Sequence, residues 1–217
     1  QQNPSAEGEG NLIKAEWIQE SADKPINYSV QICVWDLNIT DSPESDYTVG
    51  LVIGKHEDEF HIIDMWRKQC DIPTQLDAIK RMHKKYKKAI VGVEARANGH
   101  AAMTLLRREI PDIYAFEPRK FGGKKEARLG SILKYFRDKK VFIYSHFIED
   151  NKLEPTYNVE QIKKELKGFP LAATDDIVDC VGYGIAYLAE YGQENTAVIT
   201  HGNKISVFEE DFVEEAK

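Results

Sequence analysis

The sequence predicts an α/β domain built on a mixed sheet with helices on both faces. Three observations lead there. The first third of the chain holds strand-length apolar runs joined by short polar connections, the mark of a meander. Beyond it, short apolar runs alternate with segments of helical periodicity. One of those runs, AIVGVEA (Ala89 to Ala95), is apolar on both parities, as a strand covered on both faces must be.

YSVQICVWD (Tyr28 to Asp36) places Val30, Ile32 and Val34 on one parity and reads as the first strand. DYTVGLVIGK and EFHIIDMW form two more, joined through KHED into a hairpin. DIPTQLDAIKRMHKKYKK tolerates Pro73 at a first helical position, and Leu76, Ile79, Met82 and Tyr86 then recur at helical spacing. After AIVGVEA come a helix from His100 to Glu109 stopped by Pro111, a short strand from Ile113 to Phe116, and the loop PRKFGG. A helix from Lys125 to about Asp138 precedes the strand VFIY. NVEQIKKELKGFP has Asn158 and Gln161 in capping-box positions and ends at Gly168 before Pro170. The last helix is expected to be capped by Thr174, and TAVITHGNKISVF reads as a hairpin around Gly202-Asn203.

The 217 residues, 42% hydrophobic, suit one domain with a substantial core and short appendages. A charged fraction of 30% and a net charge of −7 argue against disorder and against a membrane protein. The apolar runs are also too short for a bilayer span. QQNPSAEGEG is a polar lead-in without signal-peptide character, and the absence of an initial Met suggests a piece of a longer protein. Cys33, Cys70 and Cys180 are odd in number and far apart, which favours a reducing, cytosolic setting over a disulfide framework or zinc site. Charge is uneven: KRMHKKYKK and RKFGGKKEAR are basic, EEDFVEEAK acidic.

Acids occupy costly places. Asp36 continues the apolar row of Val30, Ile32 and Val34, and Glu94 ends AIVGVEA. Asp175, Asp176 and Asp179 crowd the start of an apolar helix, where the helix N-terminus favours one or two of them. A carboxylate at such a strand end must be paired, hydrogen-bonded or bound to a cation. Capping of neighbouring helices and wet strand edges account for each acid singly. If instead the helix packs across the sheet, the acids converge on one point. An oxygen-only cluster of that kind suits Mg²⁺ or Mn²⁺, and two such ions about 4 Å apart would clamp a phosphodiester. The lysine-rich segments would then neutralise nucleic-acid phosphates near the acidic centre, although each also reads as a solvated helix face.

The ordered set WDLNITDSPESDYTVGLVIGK, EFHIIDMWR, IVGVEARANGHAAMTLL, PRKFGGKKEAR and ELKGFPLAATDDIVDCVGYGIAYL resembles the nuclease domain of viral large terminases, the DNA-packaging motors of tailed bacteriophages and related viruses. EGEGNLIKAEWIQ is similar to that family's segment between ATPase and nuclease domains. The likeness runs from about Gly8 to Tyr191. It implies an RNase H-like (RuvC-like) fold over residues 28–217, a linker over 1–27, and a hairpin with an acidic tail over 194–217. It implies two-metal hydrolysis of double-stranded DNA with little sequence preference, water attacking in line with the leaving 3′ oxygen. The family's first-strand aspartate falls on Asp36 and its following aspartate on Asp46. Its fourth-strand acid falls on Glu94 and its C-terminal helix acids on Asp175 and Asp176, with Asp179 as support. Two Mg²⁺ or Mn²⁺ ions are the implied cofactors. A Lys-x-x-Arg-like step falls on Lys125 and Arg128, which with Lys120 and Lys124 would meet DNA phosphates.

The implied partners are the ATPase domain of the same protein, the portal protein and the small terminase subunit, in host cytoplasm at the procapsid portal. GLVIGKHE is not a P-loop, so the ATPase half is expected elsewhere. Two rivals stay open from the sequence: another RNase H-like nuclease such as a Holliday-junction resolvase, and a non-catalytic DNA-binding or motor-docking module.

Overall fold

Among the described residues, seven strands form a single sheet in the order β1-β7-β4-β3-β2-β5-β6. The computed structural model describes residues 10–23, 25, 27–38, 47–95, 97–121, 123–145, 154–172 and 174–198. The strands are β1 (Gln19–Ser21), β2 (Val30–Asp36), β3 (Thr48–His56), β4 (Glu59–Lys68), β5 (Ala89–Glu94), β6 (Tyr114–Phe116) and β7 (Val141–Tyr144). The helices are α1 (Ile72–Lys85), α2 (Ala97–Leu106), α3 (Lys125–Arg137), α4 (Val159–Gly168) and α5 (Asp176–Val198). β2, β3 and β4 pair antiparallel as the expected meander, while β5, β6, β7 and β1 add in parallel. β3 alone therefore runs against its neighbours, and the carboxyl ends of β2 and β5 lie side by side.

The period-two pattern of β2 divides the core in two. Ile32 and Val34 face one way with Leu51, Ile53 and Ile62, under Leu129, Ile132, Ile162, Val181 and Ile185 of α3, α4 and α5. Cys33 and Trp35 face the other way with Val52 and Ile63, under Ile79 and Met82 of α1 and Met103 of α2. Helices thus cover both faces. Each fully buried aliphatic side chain in these layers contributes about 1.5–3 kcal/mol. α5 lies close on β2 and β3 because Gly184 has no side chain: a Cβ there would stand 2.6 Å from Ile53 Cδ1 and 3.1 Å from Val34 Cγ2.

Local signals set most boundaries. Asp71 caps α1, its side chain accepting from the Thr74 N–H at 3.0 Å, with Pro73 in the first turn. Asn158 caps α4 by accepting from the Gln161 N–H at 2.9 Å. The expected capping box is only half formed, because the Gln161 amide donates to Glu165 at 2.8 Å. Two segments depart further from expectation. Gln19–Ser21, inside the expected linker, pairs in parallel with β7 as an edge strand, and Ile13 is buried in the core. Thr196–Val198, the expected start of the terminal hairpin, belong to α5. The Gly202-Asn203 turn and the acidic tail lie outside the described residues. Among the described residues no helix is long and apolar enough to cross a membrane.

Candidate metal centre

Asp36 and Glu94 stand at the carboxyl ends of adjacent parallel strands, one beyond the registered pair Trp35 and Val93. The parity that buries Ile32 and Val34 under α5 turns Asp36 to the same side. Val91 and Val93 face the α1 layer, so Glu94 also faces α5. Asp176 opens α5 above them and is 8% exposed; Glu94 is 3% exposed. Three acids from distant parts of the chain therefore share one edge of the sheet.

Their charges act on one another. The Asp36 carboxyl is held well above its ordinary pKa, first by desolvation, then by the charges of Glu94, Asp179 and Asp176, with Lys125 opposing. Asp36, Glu94, Asp175, Asp176 and Asp179 against Lys125 and Arg128 leave an excess of negative charge. Among the described residues, no three His, Cys, Asp or Glu side chains form a ready-made cation cluster. The donors are all oxygen and the surplus charge is negative, so the residues fit a hard divalent ion.

Asp175 and Asp176 differ in role. Asp176 acts on Asp36, whereas Asp175 accepts a hydrogen bond from Lys125 Nζ at 2.7 Å. The Asp175 carbonyl also accepts from the Asp179 N–H at 3.1 Å, which places Asp175 at the N-cap. The expected cap, Thr174, does not serve: its hydroxyl donates to Glu165 at 2.9 Å. Glu165 caps α5 from outside by accepting the Ile177 N–H at 3.1 Å, and Arg67 Nη2 donates to the same carboxylate at 3.3 Å. Sequence reasoning misses Glu165, although an acid between Ile162 and Leu166 on the buried stripe of α4 signals an internal task.

Asp179 is buried and neutralised twice, by Lys125 Nζ at 2.6 Å and by Arg128 Nη2. Burial opposes the Lys125 charge, yet Asp179 and Asp175 hold its pKa above the usual value. Arg128 corrects an expectation. It is 1% exposed, donates to Tyr183 Oη at 2.9 Å, and cannot meet phosphate from that position. Lys120 and Lys124 are exposed, while Lys125 is engaged with Asp175 and Asp179. Asp46 lies outside the described residues.

Tyr183, also missed by the sequence reading, donates to Glu94 Oε1 at 2.7 Å. Burial first, and then that bond, raise its phenol pKa above the usual value, so the hydroxyl keeps its proton at neutral pH. The spacing Asp176, Asp179, Tyr183 runs along one helix face and marks the residue in retrospect.

The lysine-rich segment Lys80–Lys88 lies elsewhere. α1 carries the chain from the end of β4 back to the start of β5, so its basic end is at the sheet edge opposite Glu94. The six residues of β5 put roughly 20 Å between them. Several of its cations are already paired: Lys85 with Asp64 at 2.7 Å and Arg81 with Glu154 at 3.1 Å.

Gly99 has no room for a side chain. A Cβ at this position of α2 would land on the carbonyl oxygen of Glu94. Gly99→Ala is therefore expected to destabilise the fold by about 1–3 kcal/mol, the usual cost of overpacking. The urea midpoint measures it, and an unchanged midpoint would show that α2 yields freely.

Solved structures share this architecture. The large terminase nuclease from thermophilic phage G20c with bound magnesium superposes with a TM-score of 0.59 at 13% identity, over 81% of this chain and 96% of that one. The P22 large terminase nuclease domain gives 0.57 at 15% identity, over 85% and 95%. The human cytomegalovirus terminase nuclease domain, manganese-soaked and inhibitor-bound, gives 0.57 at 12% identity, over 82% and 94%. At such identities the likeness shows the fold. Among curated proteins none is significantly similar in sequence. The family profile described as the terminase RNase H-like domain matches residues 33–187, from β2 into α5. With its strand-end acids and helix-start aspartates all within that span, the chain belongs to the terminase RNase H-like domain family.

Proposed function

We propose that this chain is a divalent-metal-dependent endonuclease that cuts double-stranded DNA with little sequence preference during viral genome packaging. The observation that carries the reading is that Asp36 and Glu94 end adjacent parallel strands on the face that α5 covers with its acidic first turn. Asp36, Glu94 and Asp176 would hold Mg²⁺ or Mn²⁺, two ions per site, with Asp175 keeping Lys125 beside them. Bound there, such ions supply the Lewis acidity that acidifies an attacking water and offsets charge on the scissile phosphate. Magnesium in the G20c nuclease and manganese in the cytomegalovirus one support this choice of cation.

The chain's own residues orient the acids. Glu165 fixes the first turn of α5, Lys125 and Arg128 neutralise Asp179, and Tyr183 holds one oxygen of Glu94. The exposed Lys120 and Lys124, beside the acidic edge, are the phosphate contacts in this reading. The ATPase domain of a full-length large terminase, the portal protein and the small terminase subunit are its proposed partners, at the procapsid portal in the host cytoplasm.

Supercoiled plasmid tests the reading. Cleavage is expected with Mn²⁺ or Mg²⁺, at many sites, and is expected to stop in EDTA and return on adding metal. Undiminished cutting in EDTA would overturn the mechanism. DNA binding without cleavage across a Mn²⁺ titration would select a non-catalytic module, and junction-selective cutting a resolvase.

A further inference from the structure

We propose that Tyr183, clamped by Arg128, is a positioning residue that sets the carboxylate of Glu94 for cation binding. The inference rests on the nuclease reading above and adds a function for two residues on the buried side of the site.

The direction of every bond in the clamp is fixed by chemistry. A guanidinium can only donate, so Tyr183 Oη accepts from Arg128 Nη1 at 2.9 Å. A carboxylate can only accept, so the phenolic hydrogen must point at Glu94 Oε1, 2.7 Å away. The Tyr183 ring cannot swing out of this arrangement. The Arg128 guanidinium carbon stands 3.9 Å from its centroid, and the Phe116 ring stacks on it at 5.1 Å. Arg128 is itself anchored through Nη2 to Asp179 one helical turn earlier. β5, α3 and α5 are thereby locked together through buried side chains, and the lock ends on one oxygen of the strand-end acid. Groups that orient a metal ligand in this way typically change metal affinity or activity about 10–100-fold when lost.

Tyr183→Phe removes the phenolic oxygen and keeps the ring. The full 217-residue chain and this variant are compared by calorimetric titration with Mn²⁺ in the absence of DNA, and by plasmid cleavage against Mn²⁺ concentration. The expected result is a Mn²⁺ Kd raised about 10–100-fold, with the metal dependence of cleavage displaced equally and the rate recovering as metal saturates. Equal Mn²⁺ affinity in a folded variant, with cleavage unchanged at every concentration, overturns the inference and leaves the nuclease reading standing. Failure of the unaltered chain to bind Mn²⁺ overturns the nuclease reading itself. Should the variant not fold, the phenolic proton of Tyr183 is followed by NMR in the unaltered chain. A shift on adding Mg²⁺ supports the coupling, and an unmoved resonance at saturating Mg²⁺ refutes it.

Discussion

Asp36→Asn abolishes plasmid cleavage, by on the order of 10⁴–10⁶-fold, the loss typical of removing one indispensable group from a catalytic set. The same substitution raises the melting temperature of the EDTA-treated protein. Both effects come from one position. Asp36 ends an apolar row of β2, and desolvation and the charges of Glu94, Asp179 and Asp176 act against its ionised form. A carboxyl whose folded pKa is raised costs stability wherever it is ionised in the native state. The penalty is complete above the folded pKa, shrinks as pH falls through it, and vanishes below the unfolded value of about 3.9. The advantage of Asn therefore grows as pH rises through the folded pKa and is lost in acid. Saturating Mg²⁺ reverses the order, because a cation that binds only the native protein stabilises it by mass action and Asn forfeits that gain. Thermal melts with and without Mg²⁺, run beside the cleavage assay, check all of this. Retained cleavage, or a lower melting temperature in EDTA, contradicts it.

Arg128→Ala is expected to cost about 3 kcal/mol, the lower end of the range for removing one partner of a buried ion pair. Lys125 remains on Asp179 and limits the damage. A loss of that size lowers the melting temperature by roughly 6–12 °C in a domain of this length. Lys124→Ala, an exposed neighbour, stays within about 0.5 kcal/mol. The contrast separates the buried arginine from a surface phosphate contact. A surface contact leaves the melt alone and reduces the salt dependence of DNA binding by about one unit of slope. An Arg128→Ala protein that melts with the unaltered chain would return this residue to the DNA surface.

These two residues also show what the sequence carries and what it does not. The place of Asp36 is legible because a strand alternates with period two, so Ile32 and Val34 fix its face. Glu94 is marked only as the acid that ends an apolar strand, because that strand is apolar on both parities and its sequence fixes no face; the family likeness joins the two. Arg128 is misplaced by its sequence because a Lys-x-x-Arg spacing on a helix says nothing of a partner 51 residues further on. Composition alone points to Thr174 as a cap. The structure caps α5 with Glu165 from another helix, a tertiary choice that overrides the local one. The three-residue strand β1 has too little pattern to be read, since its pairing is decided by β7. Charge alone puts the basic end of α1 at the wrong edge, although a signal for the right one exists. A helix joining β4 to the parallel strand β5 has to return the chain to the sheet's other end.

The three acids lie at positions 36, 94 and 176, and the last arrives only with α5. A nascent polypeptide halted on the ribosome before that helix holds the two strand-tip acids and the cations of α3, but neither the aspartates nor the tyrosine of α5 that complete them. On the nuclease reading, cutting power is thus withheld until synthesis has nearly passed through the domain, and truncated products are harmless to any genome they meet.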